Sequence, residues 1–173
     1  PHIPQLRYDA LLADVRAAAA HLRAADHGRV WRLFAIGFCL GGRLGFLATT
    51  EGLDLAGVVG FYGRPVGPIV WGGPIPIDVL DRAGTPFLGI FAGADEYIPV
   101  AGVEQFRDAL AARWPGPDHR VLIYPDTRHS FFDILADEYA DASAAAWEET
   151  LAFLRRLGAL GTPSPTSDSD RSS

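Results

Sequence analysis

Val30-Trp31-Arg32-Leu33-Phe34-Ala35-Ile36-Gly37-Phe38-Cys39-Leu40-Gly41-Gly42-Arg43 runs from an apolar segment into a glycine-rich one. Val30–Phe38 is short, almost wholly apolar and ends in glycine, which predicts a strand buried on both faces. Leu40 to Thr50 reads as a helix. A nucleophile-type residue, Cys39, therefore stands where strand turns into helix, flanked as Gly-x-Cys-x-Gly-Gly. Such a turn is tight, and side chains at the flanking positions are expected to collide with the adjoining strand and helix. The helix N-terminus behind the thiol favours a thiolate and a developing oxyanion. The bland alternative is a packed structural thiol, because free cysteine is among the most buried residue types.

Outward from the elbow, the chain alternates. Arg7 to Ala25 predicts a helix with Leu11, Leu12, Val15, Ala18, Ala19 and Leu22 on one face, and Gly28 as a stop. Ala56–Tyr62 predicts a second buried strand. Arg64–Gly84 is rich in Pro and Gly, with one short helical turn near Asp78–Arg82. Pro86–Ala92 predicts a strand, Val100–Arg113 a helix, Arg120–Tyr124 a strand, and Ser143–Leu157 a helix with Trp147, Leu151 and Leu154 inward. Strands alternating with helices predict a parallel sheet covered on both faces. Residues 1–160 form one domain in this reading. Residues 161–173, rich in Ser, Pro and Asp, are expected to be a disordered tail.

Two further segments carry chemistry. Gly93-Ala94-Asp95-Glu96-Tyr97-Ile98-Pro99 follows the third strand, where functional groups of open α/β sheets gather. Asp95 is the candidate acid that orients a histidine, against the alternative of an Asp that caps the next helix; Glu96 and Asp126 compete for the role. Thr127-Arg128-His129-Ser130-Phe131-Phe132 follows the last strand and supplies His129 as general base. His2, His21, His27 and His119 read as surface residues. Nucleophile, acid and base in that chain order match the α/β-hydrolase arrangement.

Composition narrows the classes. The chain has 173 residues, 49% hydrophobic and 21% charged, with a net charge of −6, as an ordinary globular domain of this size would. All fifteen basic residues are Arg and they are scattered, so no basic stripe points to nucleic acid. No apolar run approaches the roughly 18–20 residues that span a membrane. No basic segment followed by an apolar one marks a secretory signal, so a cytoplasmic protein is the default expectation. A single cysteine excludes an intramolecular disulfide.

The Gly-Phe-Cys-Leu-Gly-Gly elbow, Phe61-Tyr62-Gly63, the Gly-Ala-Asp-x-x-Ile-Pro segment and His-Ser-Phe-Phe together resemble the dienelactone hydrolase (carboxymethylenebutenolidase) family, over about Tyr8 to Leu157. The resemblance implies a three-layer α/β-hydrolase-type parallel sheet with helices on both faces. It also implies a Cys39–His129–Asp95 triad that opens ester or lactone bonds through an acyl-cysteine, with no metal and no cofactor. The backbone N–H of Leu40 matches one oxyanion donor. Asp133 stands where well-known members carry an arginine that clamps the substrate carboxylate. The family's first strands, its second oxyanion donor and a glutamate that helps activate the thiol have no counterpart here, so the N-terminal half of the sheet is expected to be missing.

Tyr62, Trp71, Phe131 and Phe132 are candidates for an apolar substrate pocket, with core packing as the alternative. A non-catalytic hydrolase-fold domain that needs an N-terminal partner piece is the competing class; a redox-sensing thiol is weaker, since no second cysteine is present to resolve it. The strand Val30–Phe38 is too apolar for a protected edge, so edge-to-edge self-association is expected.

Overall fold

The structure, a computed structural model, describes residues 5–25 and 32–158. Helix α1 (Tyr8–Ala25) precedes strand β1 (Phe34–Phe38), helix α2 (Leu40–Ala48), strand β2 (Gly57–Phe61), a 3-10 segment (Pro76–Arg82), strand β3 (Phe87–Ala92), helix α3 (Val100–Arg113), strand β4 (His119–Tyr124) and helix α4 (Ala140–Arg156). The strands form one parallel sheet in the order β1-β2-β3-β4. Its register pairs Phe38 with Phe61, Phe61 with Ile90, and Ala92 with Tyr124. The carboxyl ends are thereby level, and every functional loop leaves the sheet on one side.

Alternation along the strands supplies two cores. Val58 and Phe87 face Leu12 of α1, Phe46 and Leu47 of α2, and Phe106 and Leu110 of α3. Val59, Phe61, Leu88 and Ile90 face Phe131 and the Ala146 and Phe153 stripe of α4. Each fully buried Phe or Leu contributes about 1.5–3 kcal/mol, so the central strands, buried throughout, anchor the site.

Several expectations need correction. The elbow strand is not buried on both faces: β1 closes one side of the sheet among the described residues, and Ile36 and Phe38 are 41% and 38% exposed. Val30 and Trp31 lie outside the described residues, as do Gly28 and the tail 161–173. Ala18 and Leu22 of α1 face outward, and the buried line of the helix is the narrow one through Leu12 and Ala19. On α4 the buried line is Ala146, Thr150 and Phe153, with Leu154 partly buried against the same core as expected; Trp147 is exposed, its ring near Phe132.

Candidate active site

Cys39 occupies the junction of β1 and α2 with φ 52° and ψ −111°, a left-handed backbone that a residue with a Cβ adopts at a cost of about 1–3 kcal/mol. Its N–H donates to the Phe61 carbonyl at 3.0 Å, and the Arg43 N–H donates to the Cys39 carbonyl at 3.2 Å. The glycines around it have different reasons. A Cβ on Gly37 would overlap the Gly41 carbonyl, and one on Gly42 would overlap the Phe61 carbonyl. A Cβ on Gly41 would meet nothing, so the expectation that both residues flanking the elbow are sterically required holds for Gly37 and moves from Gly41 to Gly42.

The structure brings Asp95 and His129 together from the ends of β3 and β4. Asp95 Oδ2 lies 2.7 Å from His129 Nδ1, and the Asp95 side chain is 1% exposed. Its other oxygen accepts from the N–H groups of Tyr97 (2.8 Å) and Ile98 (3.0 Å). The capping alternative and the orienting role thus share one carboxylate. Glu96 instead pairs with Arg128 at 2.9 Å, outside the pocket. The His129 ring packs beside Tyr62 and edge-on to Tyr97. Hydrogen bonding to Asp95 and then to Cys39, against the effect of burial, raises its pKa to about 10. The thiol moves the other way: hydrogen bonding toward His129, opposed by burial, pulls Cys39 below its ordinary value. Both directions favour a thiolate facing an imidazolium.

Cys39 and His129 open into a cavity of about 610 Å3, whose walls include Leu40, Tyr62, Arg64, Ile69, Trp71, Tyr97 and Ile134. Leu40, at the first position of α2, has its N–H among those that the helix itself leaves free. Trp71 lines the cavity as expected. Tyr62 borders it but is fully buried, and its hydroxyl lacks a hydrogen-bond partner. Burial, with the Asp133 carboxylate nearby but not in normal hydrogen-bond geometry, pushes the Tyr62 phenol up. Phe131 is corrected: it is fully buried under Tyr62 and Tyr124 and does not line the cavity. Phe132 does not line the cavity either; it is half-buried in an aromatic cluster with Phe38 and Phe61. His119 is not a surface residue; its Nε2 bonds the Ala83 carbonyl at 3.0 Å and its ring stacks on Trp114.

The sequence reading missed Arg43. It is 2% exposed and donates to three backbone carbonyls, of Arg64, Gly67 and Pro74, while its Nε has no partner. Burial, and then the nearby Arg64, lower its pKa to about 10. Among the described residues, no cluster of His, Cys, Asp and Glu could hold a metal ion. No helix among them is long and apolar enough to cross a membrane.

Known proteins share this arrangement of sequence and fold. The sequence model of the dienelactone hydrolase family matches residues 2–158. A protein of Escherichia coli (strain K12) that carries the name "Putative carboxymethylenebutenolidase" is 32% identical over 150 residues, which cover 86% of this chain and 54% of that protein. One of the same name from Saccharolobus solfataricus is 34% identical over 129 residues, covering 74% of this chain and 46% of its own. The crystal structure of a "Putative Dienelactone Hydrolase" from Klebsiella pneumoniae superposes with a TM-score of 0.73 at 30% identity, covering 87% of this chain and 62% of that one. The chain spans about half the length of the curated relatives it matches.

Proposed function

This chain belongs to the dienelactone hydrolase family, and on that footing we propose that it hydrolyses small ester or lactone bonds with Cys39 as nucleophile, His129 as base and Asp95 as the residue that orients the base. One observation carries the reading: the 2.7 Å Asp95–His129 contact fixes an imidazole beside a thiol held on a strained strand-to-helix turn. The Cys39 sulfur attacks the acyl carbon, forming the C–S bond, and the carbonyl oxygen gathers negative charge against the Leu40 N–H at the α2 N-terminus. Collapse breaks the C–O bond, and the leaving oxygen takes its proton from His129. Water then gives a proton to His129 as it attacks the thioester, and loss of the thiolate restores the enzyme. Asp95 stabilises the imidazolium in both halves without itself taking the proton.

The test is a nitrophenyl acetate assay joined to rapid-mix mass spectrometry. An acetyl group on Cys39 in the steady state, and loss of both adduct and turnover in Cys39→Ala, are the expected results. Unimpaired turnover in Cys39→Ala would place the chemistry elsewhere.

A further inference from the structure

One wall of the Cys39 cavity is built as a strap. The Arg43 guanidinium holds its start, through the carbonyls of Arg64 (2.8 Å) and Gly67 (3.2 Å), and its end, through that of Pro74 (3.0 Å). Gly67, Gly72 and Gly73 have φ of +78°, +75° and +87°, backbone that only glycine adopts freely, so the strap reverses at both ends. A turn closed by the Gly72 N–H on the Ile69 carbonyl at 3.1 Å leaves Ile69, Val70 and Trp71 as its tip. Ile69 and Trp71 face the cavity, and Val70 is 82% exposed. Across the site, Ile134, also 82% exposed, and Tyr97, 61% exposed, line the same cavity.

Single exposed apolar side chains are ordinary, but several around one opening mark a contact surface. Apart from Arg43, Arg64, Ser130, Asp133 and the reacting groups, what the opening leads into is mainly apolar. A cavity of about 610 Å3 is in the range that holds a whole drug-sized ligand, about 300–1,000 Å3, and far exceeds an acetyl group. We propose that the site selects esters carrying an aliphatic chain, which lies along Ile69 and Trp71 of the strap tip and leaves past Ile134. Arg43 is then a positioning residue that holds this wall against the nucleophile helix. The inference deepens the hydrolase reading and rests on it.

Cys39 is the chain's one cysteine, so its alkylation isolates the question from turnover. The experiment measures the rate of Cys39 modification by N-alkylmaleimides from ethyl to octyl, each divided by the rate for free glutathione. Each methylene that finds the wall is expected to add roughly two- to fourfold, so that the hexyl-to-ethyl ratio exceeds about tenfold. Ile69→Asp on the strap and Ile134→Asp at an exposed position across from it should each cut that ratio several-fold. A flat series with a reactive Cys39 overturns the inference and leaves the hydrolase reading standing. A steep series indifferent to both substitutions overturns it too, because the chain then lies elsewhere. A Cys39 that is inert in the native protein sinks the hydrolase reading first, and the inference with it.

Discussion

The two halves of the site are held by opposite means. Asp95 follows β3, a strand buried along its whole length; every oxygen of its carboxylate has a partner, and one of them holds His129, which comes from the end of β4. Cys39 follows β1, one of the two outer strands among the described residues, and its place is set by a left-handed turn and close-approach glycines rather than by burial. One half is fixed by packing and hydrogen bonds, the other by the shape of a turn. Substitutions should therefore act through chemistry in the first half and through steric fit in the second.

The largest effect is expected at the nucleophile itself: Cys39→Ala should lower ester turnover by at least about a thousandfold, read as kcat/KM, with little change in unfolding temperature. Asp95→Asn keeps the shape of its side chain but loses the charge that holds the imidazolium, and should reduce kcat by about 10^2–10^4. The same variant tests pH linkage. Because the His129 pKa rises from 6.5 to about 10, its stabilising contribution is complete below about pH 6.5 and is lost as pH climbs through about 10. The gap in thermal stability between the natural chain and Asp95→Asn should shrink over that interval; a gap that widens with pH would contradict the assignment.

In the elbow, paired substitutions sharpen the contrast. Gly37→Ala forces a Cβ into the Gly41 carbonyl and should destabilise the fold by about 1–3 kcal/mol in urea unfolding. Gly41→Ala meets nothing in the helix and should be neutral or gain up to about 1 kcal/mol. Equal losses at both would mean the turn is not built as described. The smallest effect belongs to the strand edge: Ile36, 41% exposed on β1, is expected to support edge-to-edge association. Ile36→Lys should lower the mass seen by light scattering while shifting stability by no more than about 0.5 kcal/mol.

The order of elements, and the three segments that bring Cys39, Asp95 and His129 to one end of the sheet, were legible because local pattern decides them. Val100–Arg113 is a helix over that whole span, and β2, β3 and β4 lie within one residue of their predicted bounds. What pattern could not reach was direction. A period of 3.6 fits two neighbouring lines on α4, and the size of Trp147 points to the outer one; Ala146, Thr150 and Phe153 are the fully buried line, with Leu154 packed at its margin. In His129-Ser130-Phe131, Ser130 takes φ 64° and the chain turns Phe131 into the core, which no composition of the loop reveals. Arg43 reads as a solvated helix residue until the carbonyls that receive it, 21 to 31 positions away, are in place.

The central claim is that Cys39 is drawn toward thiolate by a histidine locked to Asp95. Measuring the rate of Cys39 alkylation by iodoacetamide against pH, in the natural chain and in His129→Ala, tests it most directly. Native-state alkylation is expected to persist well below the ordinary thiol range in the natural chain, with an inflection that moves up toward about 8.5 when the imidazole is removed. Identical profiles, or a thiol that reacts only after denaturation, would contradict it.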